Sequence, residues 1–334
     1  MLSQIITKSV KNKDLSNEDK HLDMALRPSH FDDYIGQEMI KNNINILLQT
    51  ALSRGHPPEH VLLYGPPGLG KTTLAHLIAK TLNTNLKITS GPTLTKVGDL
   101  AAILTNLKPN DVLFIDEIHR LNKTIEEVLY PAMESGVLDI IIGKGPAARS
   151  IQLDLPPFTL VAATTRISML SAPLRSRFSG GTYRLQFYTH AELVKIVCGS
   201  AKILGTEISE SSALEIAKRC RSTPRIANFY LKRVRDYAEF HKSNITDKLV
   251  EECLVLQEID ELGLGILERD YLNIIHKKFK NGPVGLTTIS AAIGEEAATL
   301  EDVLEPYLIQ LGFIEKTTRG RVITEAGISH IKGK

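Results

Sequence analysis

The loop Gly65-Pro66-Pro67-Gly68-Leu69-Gly70-Lys71-Thr72 has the spacing G-x-x-x-x-G-K-[ST]. Its glycines let backbone N–H groups turn inward around phosphate oxygens. Lys71 would set a positive charge against the outer phosphates of a nucleoside triphosphate, and Thr72 would offer a hydroxyl to Mg²⁺. Thr73 follows in the same helix start, whose positive dipole end adds to the field. Further along, the apolar run Val112-Leu113-Phe114-Ile115 ends in Asp116 and Glu117. An acid at a strand end can hold Mg²⁺ through water, which is the part expected of Asp116. Glu117 can orient or deprotonate an attacking water, so the expected chemistry is hydrolysis of ATP and not binding alone. His119 and Arg120 come next, and a histidine just past a strand is assigned no part in that chemistry.

Two weaker signals complete the set. Ala162-Ala163-Thr164-Thr165-Arg166 ends another apolar run, where a hydroxyl could sense the terminal phosphate. Thr164 is taken for that part, with Thr165 as the adjacent alternative. Pro173-Leu174-Arg175-Ser176-Arg177-Phe178 offers arginines that a neighbouring subunit could use against the charge developing on a transferred phosphate. From the residues alone, ordinary surface charge explains this arginine pair equally well.

These residues need a scaffold. Runs at 61–64, 86–89, 112–115, 158–163 and 183–187 are short and apolar or β-rich, as expected for strands buried on both faces of a parallel sheet. Helical stretches such as 37–53 and 71–82 lie between them, which predicts an α/β layered domain. Segments 190–204, 210–220, 224–240 and 246–257 have helical periodicity, and Thr223-Pro224 is a plausible helix start. Beyond Glu261-Leu262-Gly263-Leu264-Gly265, helices near 269–279, 286–293 and 299–311 precede a hairpin over 313–323. Helices followed by a two-stranded wing resemble a winged-helix module.

The 334 residues suit two or three domains at about 150 each. No apolar run reaches about 18 residues, so no membrane span is expected. The first 20 residues lack the features of a secretory signal and read as a flexible tail. Cys198, Cys220 and Cys253 make no zinc pattern, and an odd number is no disulfide framework, so reduced thiols of a cytoplasmic protein are expected. A net charge of +2 leaves nucleic-acid binding open, because a local basic patch decides that.

The chain resembles the RuvB family, the bacterial Holliday-junction branch-migration motors of the AAA+ type. The resemblance runs over about residues 22–325 and reaches well past the phosphate loop. It includes Thr89-Ser90-Gly91-Pro92, Gly98-Asp99-Leu100-Ala101-Ala102, Asp116-Glu117-Ile118-His119-Arg120-Leu121 and Leu129-Tyr130-Pro131-Ala132-Met133-Glu134. It continues in Gly145-Pro146-Ala147-Ala148-Arg149-Ser150, Thr223-Pro224-Arg225-Ile226-Ala227-Asn228, Gly282-Pro283-Val284-Gly285-Leu286 and the run from Glu301 to Gln310.

The resemblance implies an ATPase domain (21–188), a helical lid (189–260) and a winged-helix DNA-binding domain (261–334), after the tail at 1–20. It implies a homohexameric ring on duplex DNA arms that drives branch migration in recombination and repair, with RuvA as partner and RuvC as a further one left open. Leu26 and Arg27 would line the adenine pocket, with Gly68, Gly70, Lys71, Thr72 and Thr73 on the phosphates. Glu134, Ser135, Gly136 and Tyr188 would contact nucleotide, Arg177 would reach a neighbour's ATP, and Arg225 would touch phosphates of its own subunit. The stretch 138–155 resembles the hairpin that binds RuvA, although a hairpin folded onto its own domain would look alike. Lys316, Arg319 and Arg321 around Gly320 would contact DNA phosphates, where a solvated basic turn is the alternative.

Two departures stand out. Ala297 occupies a position where the family has an arginine, and 179–182 is one residue longer than usual, which unsettles the alignment of Tyr188. The competing reading is another AAA+ machine, a clamp loader or a protein remodeller. The Ser-Arg-Cys finger usual in clamp loaders is absent, and a remodeller needs no basic wing.

Overall fold

The computed structural model describes residues 24–142 and 149–333. The expected tail at 1–20 and the turn Gly143-Lys144-Gly145-Pro146 lie outside them.

Five parallel strands form the central sheet: β1 (Val61–Tyr64), β2 (Leu86–Ser90), β3 (Val112–Asp116), β6 (Thr159–Thr164) and β7 (Thr182–Arg184). Their order is β2-β3-β6-β1-β7. β6 is inserted between β1 and β3, in register Val61↔Val161 on one side and Phe114↔Val161 on the other. That insertion sets the carboxyl ends of β1, β3 and β6 side by side, at the edge where open α/β sheets bind ligands.

The two faces of the sheet feed different cores. Val61, Leu63, Val112, Phe114, Val161 and Ala163 pack with Ile44 and Leu48 of α1 (Glu38–Arg54) and Leu74, Leu77 and Ile78 of α2 (Lys71–Thr81). Leu62, Leu113, Ile115, Leu160 and Ala162 face α3 (Val97–Thr105) and α4 (Lys123–Glu134), through Leu100, Leu104, Ile125 and Leu129. This alternation follows from the period of two along each strand. The expectation of burial on both faces fits β1, β3 and β6 and fails for the edge strands. Lys87 and Ile88 of β2 are exposed, and β7 spans three residues instead of the five in 183–187. An edge strand has a neighbour on one side only, so its composition is less constrained.

A separate two-stranded ribbon, β4 (Val137–Ile142) and β5 (Arg149–Asp154), leaves the sheet and returns. Its base is tied by Leu155 N–H donating to Gly136 O at 2.7 Å.

After the short α5 (Ala172–Ser176) come four longer helices: α6 (His190–Ile203), α7 (Glu210–Arg219), α8 (Pro224–His241) and α9 (Asp247–Leu256). Thr189 and Thr246 cap the first and last through side-chain oxygens, and Pro224 sits at the first position of α8. Their apolar residues, including Leu193, Val197, Leu231, Val234 and Val250, join the core on the α1–α2 face.

The last segment has a core of its own around Tyr271, Leu272, Ile275, Ile289, Leu304 and Leu308. It contains α10 (Ile266–Asn273), α11 (Leu286–Ile293), α12 (Ala297–Thr299), α13 (Glu305–Gln310), the wing strands β8 (Ile314–Thr317) and β9 (Gly320–Ile323), and α14 (Glu325–Lys332). Two expected helices are interrupted by π-helical turns at Ile274–Lys278 and Leu300–Leu304. The terminal α14 was not anticipated, although Thr324 caps it from its side chain. The three cysteines are free, and burial pushes the Cys220 thiol up to about 12.

Candidate nucleotide site

The loop between β1 and α2 has the left-handed backbone its glycines were expected to supply. Gly68 has φ 82° and Gly70 has φ 97°. A Cβ at Gly70 would stand 2.9 Å from the Tyr34 hydroxyl, so neither the backbone nor the space tolerates a side chain there. Lys71 is buried, and its ammonium donates to Gly65 O at 2.8 Å and Pro66 O at 2.9 Å. Burial pushes its pKa down to about 8, against the pull of Asp116 and Glu117 and with help from Arg225.

That depression has a measurable sign. The cationic form is the one that attracts phosphate, and bound phosphates raise the lysine pKa again. ATP affinity is therefore expected to be constant below about pH 8 and to fall by up to about tenfold per pH unit above it. Titration with a fluorescent ATP analogue across that range tests this, and a flat profile would refute it.

Asp116 and Glu117 stand at the end of β3. Asp116 Oδ1 accepts the backbone N–H of Glu117 at 3.0 Å, and burial pushes the Asp116 carboxyl up. The neighbouring Glu117 charge pushes the same way, and Lys71 and Arg225 oppose it. A half-buried carboxylate with one backbone donor retains lone pairs that suit a hydrated cation, so the donor set fits Mg²⁺. Glu117 has φ 48°, a left-handed conformation that costs a non-glycine residue about 1 kcal/mol. It turns the chain sharply at the strand end.

The threonine pair at the end of β6 separates into two environments. Thr165 donates its hydroxyl to Glu117 Oε2 at 3.2 Å. Thr164 is fully buried, its hydroxyl lies 2.9 Å from His119 Nδ1, and it accepts the Arg166 N–H at 3.0 Å. The hydroxyl that meets the Glu117 carboxylate is thus that of Thr165, while that of Thr164, the residue chosen from sequence, meets His119. Thr164, the last residue of β6, is buried on the face that carries Leu160 and Ala162, and Thr165 follows in the bend beyond the strand.

His119, given no role from sequence, lies 3.1 Å from Glu117 Oε2. Burial pushes its pKa down, which the Glu117 carboxylate opposes. The signal that could have found it is its spacing, two residues beyond Glu117 across a tight 3₁₀ turn (Ile118–Arg120).

Arg225 reaches the site from the lid. Its backbone N–H donates to Gly68 O at 3.4 Å, and its charge acts on both Lys71 and Asp116. Thr223-Pro224 starts α8 against the phosphate loop, which puts the helix's positive end there. Tyr188, at the hinge into the lid, is buried with its hydroxyl donating to Tyr34 Oη at 3.1 Å and Leu69 O at 3.4 Å. The longer stretch at 179–182 closes against His60 O at the far end of β7, so it leaves Tyr188 beside the loop. Leu26 is buried, and Arg27 lies close enough to His76 to help lower its pKa. Thr72 and Thr73 follow Lys71 in the first turn of α2, half-buried.

Glu134, Ser135, Gly136 and Arg177 gather elsewhere. Arg177 pairs with Glu134 at 3.0 Å, donates to Pro173 O at 2.6 Å and lies over the Tyr130 ring at 4.3 Å from its centroid. Ser135 ends α4, and Gly136 turns the chain into the β4–β5 ribbon. The Arg177 side chain is held by Tyr130, Pro173 and Glu134, none of which belongs to the phosphate loop.

In the wing, the basic trio divides. Arg319 is exposed at the turn. Lys316 pairs with Glu301 at 2.6 Å. Arg321 points inward: its Nε donates to Glu305 Oε1 at 2.8 Å, and Tyr271 donates to the same oxygen at 2.7 Å. Glu305 is 1% exposed and needs a counter-charge, which Arg321 supplies in place of the expected exposed position. Arg321→Ala is expected to destabilise this domain by about 3 kcal/mol, as removal of one partner of a buried pair does. Arg319→Ala should leave stability unchanged and weaken duplex binding, lowering the salt slope by about one. Thermal unfolding and salt-dependent DNA titration separate the two. Equal unfolding curves for both variants would refute the inward role. Ala297 opens a three-residue helix, half-buried, with no charge to offer.

No helix among the described residues is long and apolar enough to cross a membrane. Comparison with known proteins agrees over residues 26–332. Residues 26–185 match the Holliday junction DNA helicase RuvB P-loop domain, 188–260 the RuvB AAA lid domain and 261–332 the RuvB C-terminal winged helix domain. The Holliday junction branch migration complex subunit RuvB of Fusobacterium nucleatum is 55% identical over 309 residues, 92% of this chain and 93% of that one. The solved Thermotoga maritima RuvB Holliday junction branch migration motor is 48% identical and superposes with a TM-score of 0.85, covering 92% of this chain and 98% of that one. A variant of the same Thermotoga protein gives a TM-score of 0.86. With all three segments matched in order and a relative this similar over nearly its full length, the chain belongs to the RuvB family.

Proposed function

We propose that the chain is an ATP-hydrolysing motor that drives branch migration of Holliday junctions. The observation that carries this is the convergence of Lys71, Asp116, Glu117 and Thr165 on one phosphate loop, in a chain that ends in a winged-helix domain. The units are taken as 21–188, 189–260 and 261–334.

Gly68, Gly70, Lys71, Thr72 and Thr73 would hold the phosphates, with Leu26, Arg27 and Tyr188 around the base and Arg225 closing from the lid. Thr72 and Asp116 would hold Mg²⁺, which supplies charge neutralisation on the phosphate oxygens. Glu117 takes a proton from the attacking water, and Thr165 and His119 hold its carboxylate in place. Arg177, with Glu134, Ser135 and Gly136 beside it, meets the ATP of a neighbouring subunit in a ring of six. Hydrolysis moves the lid against the ATPase domain, and the winged-helix domain passes that motion to duplex DNA through Arg319 and Lys316.

The β4–β5 ribbon is the proposed RuvA contact. Ile151 and Leu153 are 42% and 37% exposed on a ribbon that stands off the sheet, and exposed apolar surface of this kind marks a partner site. A contact with RuvC is compatible with such a ring and unnecessary to it. The setting of such a motor is the bacterial cytoplasm.

The test is ATPase activity of the whole chain alone, with duplex DNA, and with RuvA bound to a four-way junction. Stimulation by both supports the reading. Activity indifferent to DNA and to RuvA would favour a remodeller of the same superfamily.

A further inference from the structure

The winged-helix domain touches the rest of the molecule in two unlike ways. Toward the lid the contact is buried and redundant. Arg221 Nη1 donates to Glu268 at 2.6 Å and its Nε to Gly263 O at 2.9 Å, with side chains 18% and 7% exposed for Arg221 and Glu268. His330 Nε2 lies 2.9 Å from Asp260 Oδ2, a second contact across the same boundary.

Toward the ATPase domain there is an ion pair between Arg166 and Asp302. Arg166 Nε donates to Oδ1 at 2.8 Å and Nη2 donates to Oδ2, a bidentate arrangement of two half-exposed side chains. Bidentate geometry adds directional constraint to charge attraction.

The two ends of this pair matter more than the pair itself. Arg166 directly follows Thr165, whose hydroxyl holds Glu117, and its own N–H donates to Thr164, which adjoins His119, which in turn adjoins Glu117. A shift of Arg166 therefore moves both groups that hold the Glu117 carboxylate. At the other end, Asp302 is next to Glu301 in a π-helical turn, and Glu301 accepts Lys316 of the wing at 2.6 Å and Arg321 at 3.4 Å. A DNA phosphate at the wing would compete with Glu301 for Lys316 and so act on the turn that carries Asp302.

We propose that Arg166 is a positioning residue: through its bidentate pair with Asp302, DNA engagement at the wing sets the placement of Glu117 and Thr165 in the hydrolytic site. This rests on the motor reading given above. The lid contact carries the domain as a body, while the Arg166–Asp302 pair is the contact that reports on the nucleotide site. Because it is half-exposed, it can break and re-form without uncovering a buried charge.

The test compares steady-state ATPase of the whole chain without DNA and with saturating linear duplex, alongside duplex affinity measured by fluorescence anisotropy. The wild type is expected to be stimulated. Asp302→Asn should keep its DNA-free rate and its duplex affinity but lose about fivefold of the stimulation, the low end of ordinary coupling between sites. Arg166→Gln should lose the same stimulation. Asp302→Glu should retain most of it, and the exchange of Arg166→Asp with Asp302→Arg in one chain should restore it in part. A merely structural pair would lower the DNA-free rate or the unfolding temperature and leave the stimulation ratio alone.

Full stimulation in Asp302→Asn overturns the proposal. So does a loss that disappears at higher DNA concentration, since that would be weaker binding and not coupling. A wild type whose hydrolysis ignores DNA would instead overturn the motor reading and this inference with it.

Discussion

Replacing Glu117 by Gln should leave ATP binding near the wild-type level and lower kcat by about 10²–10⁴-fold, the range for losing a positioned general base. The amide keeps the size and much of the hydrogen bonding of the carboxylate, so the tight turn at φ 48° should survive. Thr165, which donates to Glu117 Oε2 at 3.2 Å, can still donate to an amide oxygen. What the amide cannot do is accept a proton from water. Binding is expected to rest on Lys71, which donates to Gly65 O and Pro66 O, and on the loop N–H groups, none of which the substitution replaces. The measurement is a nucleotide titration together with single-turnover hydrolysis. Normal turnover in this variant would remove Glu117 from the mechanism. The same experiment on Thr165→Val and Thr164→Val should place the larger kcat loss on Thr165, because only that hydroxyl meets the carboxylate.

Arg177→Ala is expected to cost about 10³–10⁵ in kcat, the range for an arginine that stabilises charge on a transferred phosphate. The case for its acting on a neighbour is geometric. Its guanidinium is held by Glu134, Pro173 O and the Tyr130 ring, and none of these belongs to its own phosphate loop. Held at three points, it gives up little conformational freedom when it meets a ligand, which is the value of preorganisation. The decisive experiment mixes Arg177→Ala subunits with Lys71→Ala subunits, each inactive alone. If Arg177 works across an interface, some mixed interfaces pair an intact loop with an intact arginine, and hydrolysis returns at intermediate ratios. No recovery at any ratio would return Arg177 to its own subunit or to the surface.

Both predictions draw on a site whose parts were unequally legible in the sequence. The phosphate loop, Asp116 and Glu117 were readable because their chemistry is local. A glycine turn, a lysine after it and an acid at the end of an apolar run have meaning within a few residues. The helix that begins at Thr223-Pro224 was readable for the same reason, since caps and proline positions depend on neighbouring backbone alone. The later stretches, from Thr223 to Gln310, were what separated this family from other ATPases of similar loop, and the matches over 26–185, 188–260 and 261–332 agree with them.

Choices between adjacent or similar residues were a different matter. Thr164 and Thr165 are the same residue type one position apart, and the bend that begins where β6 ends decides which hydroxyl meets Glu117. Arg319 and Arg321 flank one glycine, yet the buried Glu305 draws Arg321 inward from a helix sixteen residues away. His119 acquired its place from a tight turn and from β6, inserted beside β3 by the topology. The Arg166–Asp302 pair joins residues 136 positions apart on two separate cores.

For the phosphate loop, then, the sequence by itself determined what is bound and which residue types surround it, because backbone conformation there is dictated by glycine and by nearest neighbours. Which hydroxyl and which histidine stand against Glu117, and which wing arginine turns inward, follow only from the assembled fold. Those outcomes depend on burial and on charges brought together from distant segments, and neither is a property of any short stretch of chain.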